Sequence, residues 1–351
     1  MRTILAVQIL RAVAAGAVVI THAQHWLSWK TGMADAMPVL HFLGAFAVCL
    51  FFVISGFIMV YTSEPMFGRP EGPKNFFLLR LVRIVPFYWI VTAAYIAGSL
   101  AFPQFGRSYG LDFIAASFLF IPMLNADGDV LPIVGHGWTL NYEMQFYALF
   151  ALALLAPRRI AVASVTVALV AMVVAGQQLS PKSTVLAFWT SPVILQFVYG
   201  MLIGLAYREG LRVPKPLAVA LVVGGCVLMF GMRAYSAEVP ILVTTLAVIL
   251  IMSGATFGDF ALEGPVWRLF ALIGDASYSI YLLHSAPIRA ALAVSQRVSL
   301  DFASAPWLYV VGSLLGAIVL GIVAYYACER PVTRYLRRLL KPRKLAQASA
   351  A

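Results

Sequence analysis

Gln8-Ile9-Leu10-Arg11 leads into an apolar run, Ala12-Val13-Ala14-Ala15-Gly16-Ala17-Val18-Val19-Ile20-Thr21-His22, bounded by an arginine and a histidine. The two are eleven residues apart. At ~3.6 residues per turn that is close to three whole turns, so on a helix they share one face, roughly 16 Å apart along the axis. An arginine in a membrane span is expensive and rarely faces lipid. The pair therefore reads as a polar track through a membrane, with a cation at one mouth and a titratable base deeper in. Taken singly, Arg11 reads equally well as a cation snorkelling to the interface, and His22 as a hydrogen-bonded interior histidine. The rest of the chain favours the track.

The 351 residues are 62% hydrophobic and only 11% charged, against about 25% charged in a soluble domain. This is the composition of an all-α, polytopic integral membrane protein. It has room for about ten spans of roughly 20 residues and short loops. The expected spans are 4–26, 38–61, 84–102, 138–156, 160–176, 186–206, 215–233, 240–258, 273–295 and 306–328. One membrane domain over 1–340 is expected, with a basic to Ala-rich tail at 341–351. Gln8 and Arg11 interrupt what would be the apolar core of a signal peptide, so the first helix reads as retained.

The net charge of +11 gathers in a few loops and the tail, as topology signals do. That pattern excludes a nucleic-acid binder. With the N-terminus in the cytoplasm, the loop holding Arg69, Lys74, Arg80 and Arg83 falls inside. So do Arg158-Arg159, then Arg208, Arg212 and Lys215, then Arg268. The tail from Arg330 through Arg334, Arg337, Arg338, Lys341, Arg343 and Lys344 also falls inside. The expectation is a bacterial inner-membrane protein with both termini cytoplasmic. It requires that 111–124, about 14 residues, not cross but form a re-entrant or interfacial segment. Cys49, Cys226 and Cys328 lie in or beside apolar runs with no CxxC. They read as small apolar fillers, with no disulfide framework and no metal site.

Four further stretches carry polar groups into the membrane. Span two holds Ser55-Gly56, small enough for a neighbouring helix or an acyl chain to come close; Ser55 itself reads as packing. Arg80 and Arg83 are i, i+3 neighbours at the mouth of span three. Two forked guanidiniums suit a multiply charged phosphate ligand, although lipid anchoring accounts for such a pair too. Gly135-His136-Gly137-Trp138-Thr139-Leu140-Asn141-Tyr142-Glu143-Met144-Gln145-Phe146-Tyr147 brings a carboxylate into span four. Glu143 and His22 both lie near the outer ends of their spans. They can therefore meet, the carboxylate holding the imidazole tautomer and stabilising imidazolium. Tyr278, Tyr281 and His284 step by three along span nine, a polar aromatic stripe that suggests a lined cavity. Cys328-Glu329-Arg330-Pro331 reads as a helix stop, because proline cannot continue the ladder.

In order, these blocks resemble the membrane acyltransferase-3 family, which O-acylates bacterial surface sugars. The matching features are Arg11 with His22, FFVISGF at 51–57, RxxR at 80–83, WTLNYE at 138–143, SYSIYLLH at 277–284 and ERP at 329–331. Each block is weak alone; the ordered set spans nearly the whole chain. The opening Gln8-Ile9-Leu10-Arg11 looks like the branch that acetylates exopolysaccharide. Much of the family has an Asp near the position of Gln8, so the departure shifts weight onto Glu143. No SGNH-type hydrolase domain is appended, so this chain is expected to perform the whole transfer.

The resemblance implies a cytoplasmic acyl-CoA donor, usually acetyl-CoA, and a saccharide or lipid-linked saccharide acceptor. Arg80, Arg83 and Arg11 would hold the coenzyme's phosphates. His22 would take the proton of the sugar hydroxyl, an unperturbed imidazole pKa near ~6.5 suiting that task, with Glu143 as its catalytic partner. Trp138, Asn141, Tyr147, Tyr278, Tyr281 and His284 would line the substrate path, with Tyr281, Trp138 and Asn141 as candidate oxyanion donors. His25, three residues beyond His22, is a decoy in an interfacial belt with Trp26 and Trp29. The rival function is a transporter or flippase of lipid-linked sugars, since intramembrane His, Glu and Arg also mark transport paths. Such carriers show inverted repeats with broken helices, and this sequence has no apparent repeat. A plain scaffold is a third reading, opposed by the cost of so many buried polar groups.

Overall fold

The computed structural model describes residues 4–32, 42–102, 108–235, 239–297, 302 and 305–340. The start of the second expected span (38–41) and the tail at 341–351 lie outside the described residues. Every regular element among the described residues is helical, as an apolar solvent demands of a chain that must satisfy its own backbone. In order they are α1 (Leu5–Thr31), α2 (Leu43–Thr62), α3 (Gly72–Ala101), α4 (Leu111–Phe118), α5 (Trp138–Ala153), α6 (Arg158–Leu179), α7 (Thr184–Trp189) and α8 (Leu195–Arg208). Then follow α9 (Lys215–Tyr235), α10 (Ile241–Phe257), α11 (Pro265–Asp275), α12 (Ser277–Leu283), α13 (Ser285–Arg297), α14 (Pro306–Ala324) and α15 (Arg330–Leu340).

Among the described residues, seven helices are long and apolar enough to cross a membrane. The remaining three expected spans take other forms. α5 has 16 residues and α10 has 17, while the expected span 273–295 is broken into α11, α12 and α13 with turns at Ala276 and His284. Segment 111–124 is the eight-residue α4 followed by coil. At ~1.5 Å per residue α4 is about 12 Å long, too short to cross a hydrocarbon core of ~30 Å.

Two boundaries differ from the sequence reading. α3 starts at Gly72, well before residue 84, so Arg80 and Arg83, expected on a helix, stand within the same helix as the third span. The expected stop at Glu329-Arg330-Pro331 is not a stop. A π-turn at Tyr325–Glu329 joins α14 to α15, and helix continues to Leu340. Proline lacks the N–H for an i−4 bond and crowds that carbonyl. The wider i→i+5 turn lies just before it, with the Arg330 N–H bonded to the Tyr325 carbonyl.

α2 is the hub. It packs against α1, α5, α8 and α10. The α2–α8 approach is set by glycines on both sides. A Cβ on Gly56 would strike the Phe197 carbonyl, and one on Gly200 would strike that of Val53. α1 runs beside α11 and α12 in the same direction, with Gly274 seated directly on the Gln8 backbone. This register brings both ends of the Arg11–His22 face against one partner segment.

Candidate active site

A cavity of about 130 Å³ opens between α2, α3, α5 and α12, with Arg11 reaching in from α1. Helical periodicity explains its lining. Thr139, Glu143 and Tyr147 follow at i, i+4 and i+8 on α5, and Arg80, Arg83 and Ile84 fall on one face of α3. Apolar walls come from α2, including Phe51, Phe52 and Ile58. Tyr278 and Tyr281 close it from α12.

Three guanidiniums line this space: Arg11, Arg80 and Arg83. Arg11 donates to Ser277 Oγ at 2.8 Å and to Gln8 Oε1 at 3.3 Å. Gln8 Nε2 donates onward to Asp275 Oδ1 at 2.8 Å. The amide at position 8 thus passes Arg11 to a carboxylate at the end of α11, two residues before α12 begins. Arg80 donates to Thr62 Oγ1 at 2.9 Å and lies 5.3 Å over the Phe76 ring. The Arg83 side chain lines the cavity without a side-chain hydrogen bond among the described residues. None of the three has a carboxylate within ion-pair distance among those residues. Cations around one cavity without a carboxylate partner favour an anion with several oxygens.

Glu143 is not joined to His22, contrary to the sequence reading. Ser55 donates to Glu143 Oε2 at 2.9 Å and stands 3.4 Å from the Tyr147 hydroxyl. Thus Glu143 belongs to the cavity with the arginines. Ser55, read from sequence as packing, is one of its polar wall groups. The reason is helical phase: Glu143 shares the face of Thr139 and Tyr147, which α5 turns toward α2 and α3.

His22 lies instead in a cluster of three imidazoles. Its ring centroid is 4.9 Å from that of His284 and 6.4 Å from that of His136; the latter two are 4.5 Å apart. His284 is fully buried and does not line the cavity, unlike Tyr278 and Tyr281. Tyr281 separates the two compartments. It forms part of the cavity wall, shares a 2.7 Å bond with Thr139 Oγ1, and donates to the His136 carbonyl. Its ring stands 5.3 Å from that of His136. His25, by contrast, is exposed.

Trp138 and Asn141 also stand off the cavity. They are i, i+3 neighbours on another face of α5, where Trp138 packs edge-on to Tyr142 at 5.8 Å. Asn141 is buried with its Oδ1 unpartnered. Of the expected site residues, the cavity therefore gathers Arg11, Arg80, Arg83, Glu143, Tyr147, Tyr278 and Tyr281. It leaves His22 and His284 behind Tyr281.

Sequence reading missed two residues. His136 sits between two glycines ahead of α5, in a stretch whose polar character was evident. Glu329 is buried on the π-turn and accepts from Ser279 Oγ at 2.6 Å. A proline two positions on is the signal that could have drawn attention to it, because π-turns are frequent at functional sites.

An intramembrane polar cavity with three arginines and a shielded histidine cluster defines a membrane enzyme of group transfer more readily than a plain helix bundle. The comparisons agree. The chain belongs to the acyltransferase-3 family, whose acyltransferase domain matches residues 4–326. It is 37% identical over 306 residues to the exopolysaccharide production protein ExoZ of Rhizobium meliloti (strain 1021), covering 84% of this chain and 91% of that protein. No solved structure matches it.

Proposed function

We propose that this acyltransferase moves an acyl group, most simply acetyl, from acyl-CoA to a hydroxyl of an exopolysaccharide or its lipid-linked precursor. One observation carries the donor: Arg11, Arg80 and Arg83 face one cavity with no carboxylate in ion-pair contact among the described residues. The coenzyme's phosphates supply the missing anion. Its thin arm runs along the apolar wall from α2 and brings the thioester to the Tyr281 end. His22 takes the proton of the attacking hydroxyl there. The new C–O bond forms as the C–S bond breaks, and the imidazolium returns its proton to the departing thiolate. The relative's printed role in exopolysaccharide production supports the acceptor class.

In this reading the arginine end faces the cytoplasm, together with both termini, in the inner membrane. The basic loops motivate that orientation. A cysteine placed at position 345 should resist impermeant reagents applied from outside; labelling from outside would reverse the orientation. The activity itself is tested by thiol release from acetyl-CoA by purified protein, with polysaccharide or lipid-linked sugar as acceptor. Thiol release that is independent of every saccharide offered would remove the acceptor, and no release at all would remove the donor.

A further inference from the structure

Two of the three clustered imidazoles have already committed their N–H. His284 Nδ1 lies 2.7 Å from the Tyr281 carbonyl, and His136 Nε2 lies 3.1 Å from the Leu282 carbonyl. A carbonyl oxygen only accepts, so each of these nitrogens carries the proton. In the neutral ring the other nitrogen is then bare. His284 Nε2 is fully buried with no hydrogen-bond partner. An orphaned buried acceptor costs roughly 1–3 kcal/mol, so it calls for a donor. Neither of the two carbonyl-bound rings has an N–H left to give.

His22 is the remaining imidazole. Its ring is nearer to His284, at 4.9 Å between centroids, than to His136 at 6.4 Å. The two rings are tilted by 43° at that spacing. We propose that His284 is the positioning residue of the reaction: its bare Nε2 accepts the N–H of His22, which fixes the tautomer and leaves the other His22 nitrogen unprotonated as the base. The chain of command runs from the Tyr281 carbonyl through His284 to His22. A neutral imidazole thereby does the orienting work often done by a carboxylate. Glu143, spent on Ser55, is released from that task. When His22 gains the hydroxyl proton, the same contact holds the imidazolium. This rests on His22 being the base, but the pairing can be read without turnover.

The test compares two amides at one position in the full-length protein. His284→Asn keeps a donor toward the Tyr281 carbonyl but has no acceptor where Nε2 stood. His284→Gln sets its carbonyl oxygen near that place. In protein labelled with 15N-histidine, and with the His22 signals assigned by their loss in His22→Gln, wild type should show His22 as one tautomer. His284→Asn should show both tautomers, and His284→Gln should return to one. Turnover in His284→Asn should fall at least ~10-fold with the donor KM within about twofold, and His284→Gln should recover part of it. A merely structural role would perturb both amides alike. An unchanged His22 tautomer in His284→Asn would overturn the pairing. Full activity in His22→Ala would instead remove the base, while the tautomer readout still reports on the pair.

Discussion

The Ser55 hydroxyl donates to the Glu143 carboxylate at 2.9 Å, which ties the middle of α2 to α5 at the wall of the arginine-lined cavity. A half-buried carboxylate so placed lines the same cavity as Arg80 and Arg83 rather than meeting an imidazole. Its negative charge opposes any phosphate drawn to those arginines, and the bond to Ser55 fixes where that charge sits. Glu143 is therefore coupled to donor binding.

Glu143→Gln keeps an acceptor for Ser55 and removes the charge. Coenzyme A should bind more tightly, by several-fold, with turnover reduced far less than in His22→Ala. Calorimetry with coenzyme A and transfer assays on the same samples decide this. Unchanged affinity combined with a rate loss as deep as that of His22→Ala would return Glu143 to the base.

Arg80→Ala and Arg83→Ala should each weaken coenzyme A binding by on the order of 1.5–3 kcal/mol, the worth of a charge-assisted contact. Lys at position 80 should rescue only partly. It cannot both donate to Thr62 and present a fork over the Phe76 ring as Arg80 does. Wild-type affinity in both alanine variants would leave lipid anchoring as their role.

His22→Ala should lower transfer by about 10²–10⁴-fold, the usual loss of a general base. Coenzyme A should remain bound, because the arginines lie in the cavity beyond Tyr281. His25→Ala should keep most of its activity, since that ring is exposed and outside the imidazole cluster. Purified variants assayed side by side test the ranking. A deeper loss in His25→Ala would show that the base is the other histidine.

Outside the spans, Glu64 joins two helix ends, accepting from Arg158 at 2.7 Å and Arg208 at 3.2 Å. Partial burial alone would raise its pKa, but the two guanidiniums outweigh that and hold it below the ordinary carboxylate value. A depressed carboxylate stabilises the fold above its unfolded pKa, and that stability fades as pH falls through the folded value. Glu64→Gln should cost no more than about 1 kcal/mol at neutral pH, because the clasp is solvent-screened. The difference in melting temperature from wild type should shrink steadily as pH drops below the usual carboxylate range. A difference that does not change with pH would mean the clasp is not ionic.

Much of this was written in the sequence. Composition set the class, because so few charges cannot cover a soluble surface. The spacing of Arg11 and His22 set their common face, since a helix's period depends only on its own backbone. Arg80 and Arg83 showed themselves as paired cations for the same reason. Partners were a different matter. Nothing local to Glu143 says that Ser55 rather than His22 will meet it; the glycine-set packing of α2 and the phase of α5 decide that. Nothing near His22 announces His136 or His284, which arrive from segments more than a hundred residues away. Pro331 read as a stop because nothing local shows the π-turn before it, whose Glu329 meets Ser279 of α12, fifty residues earlier in the chain. Periodicity along one helix is a property of the chain, so the sequence determines it. Register between helices depends on which distant side chains leave room for a close approach, so it is settled only when the helices pack.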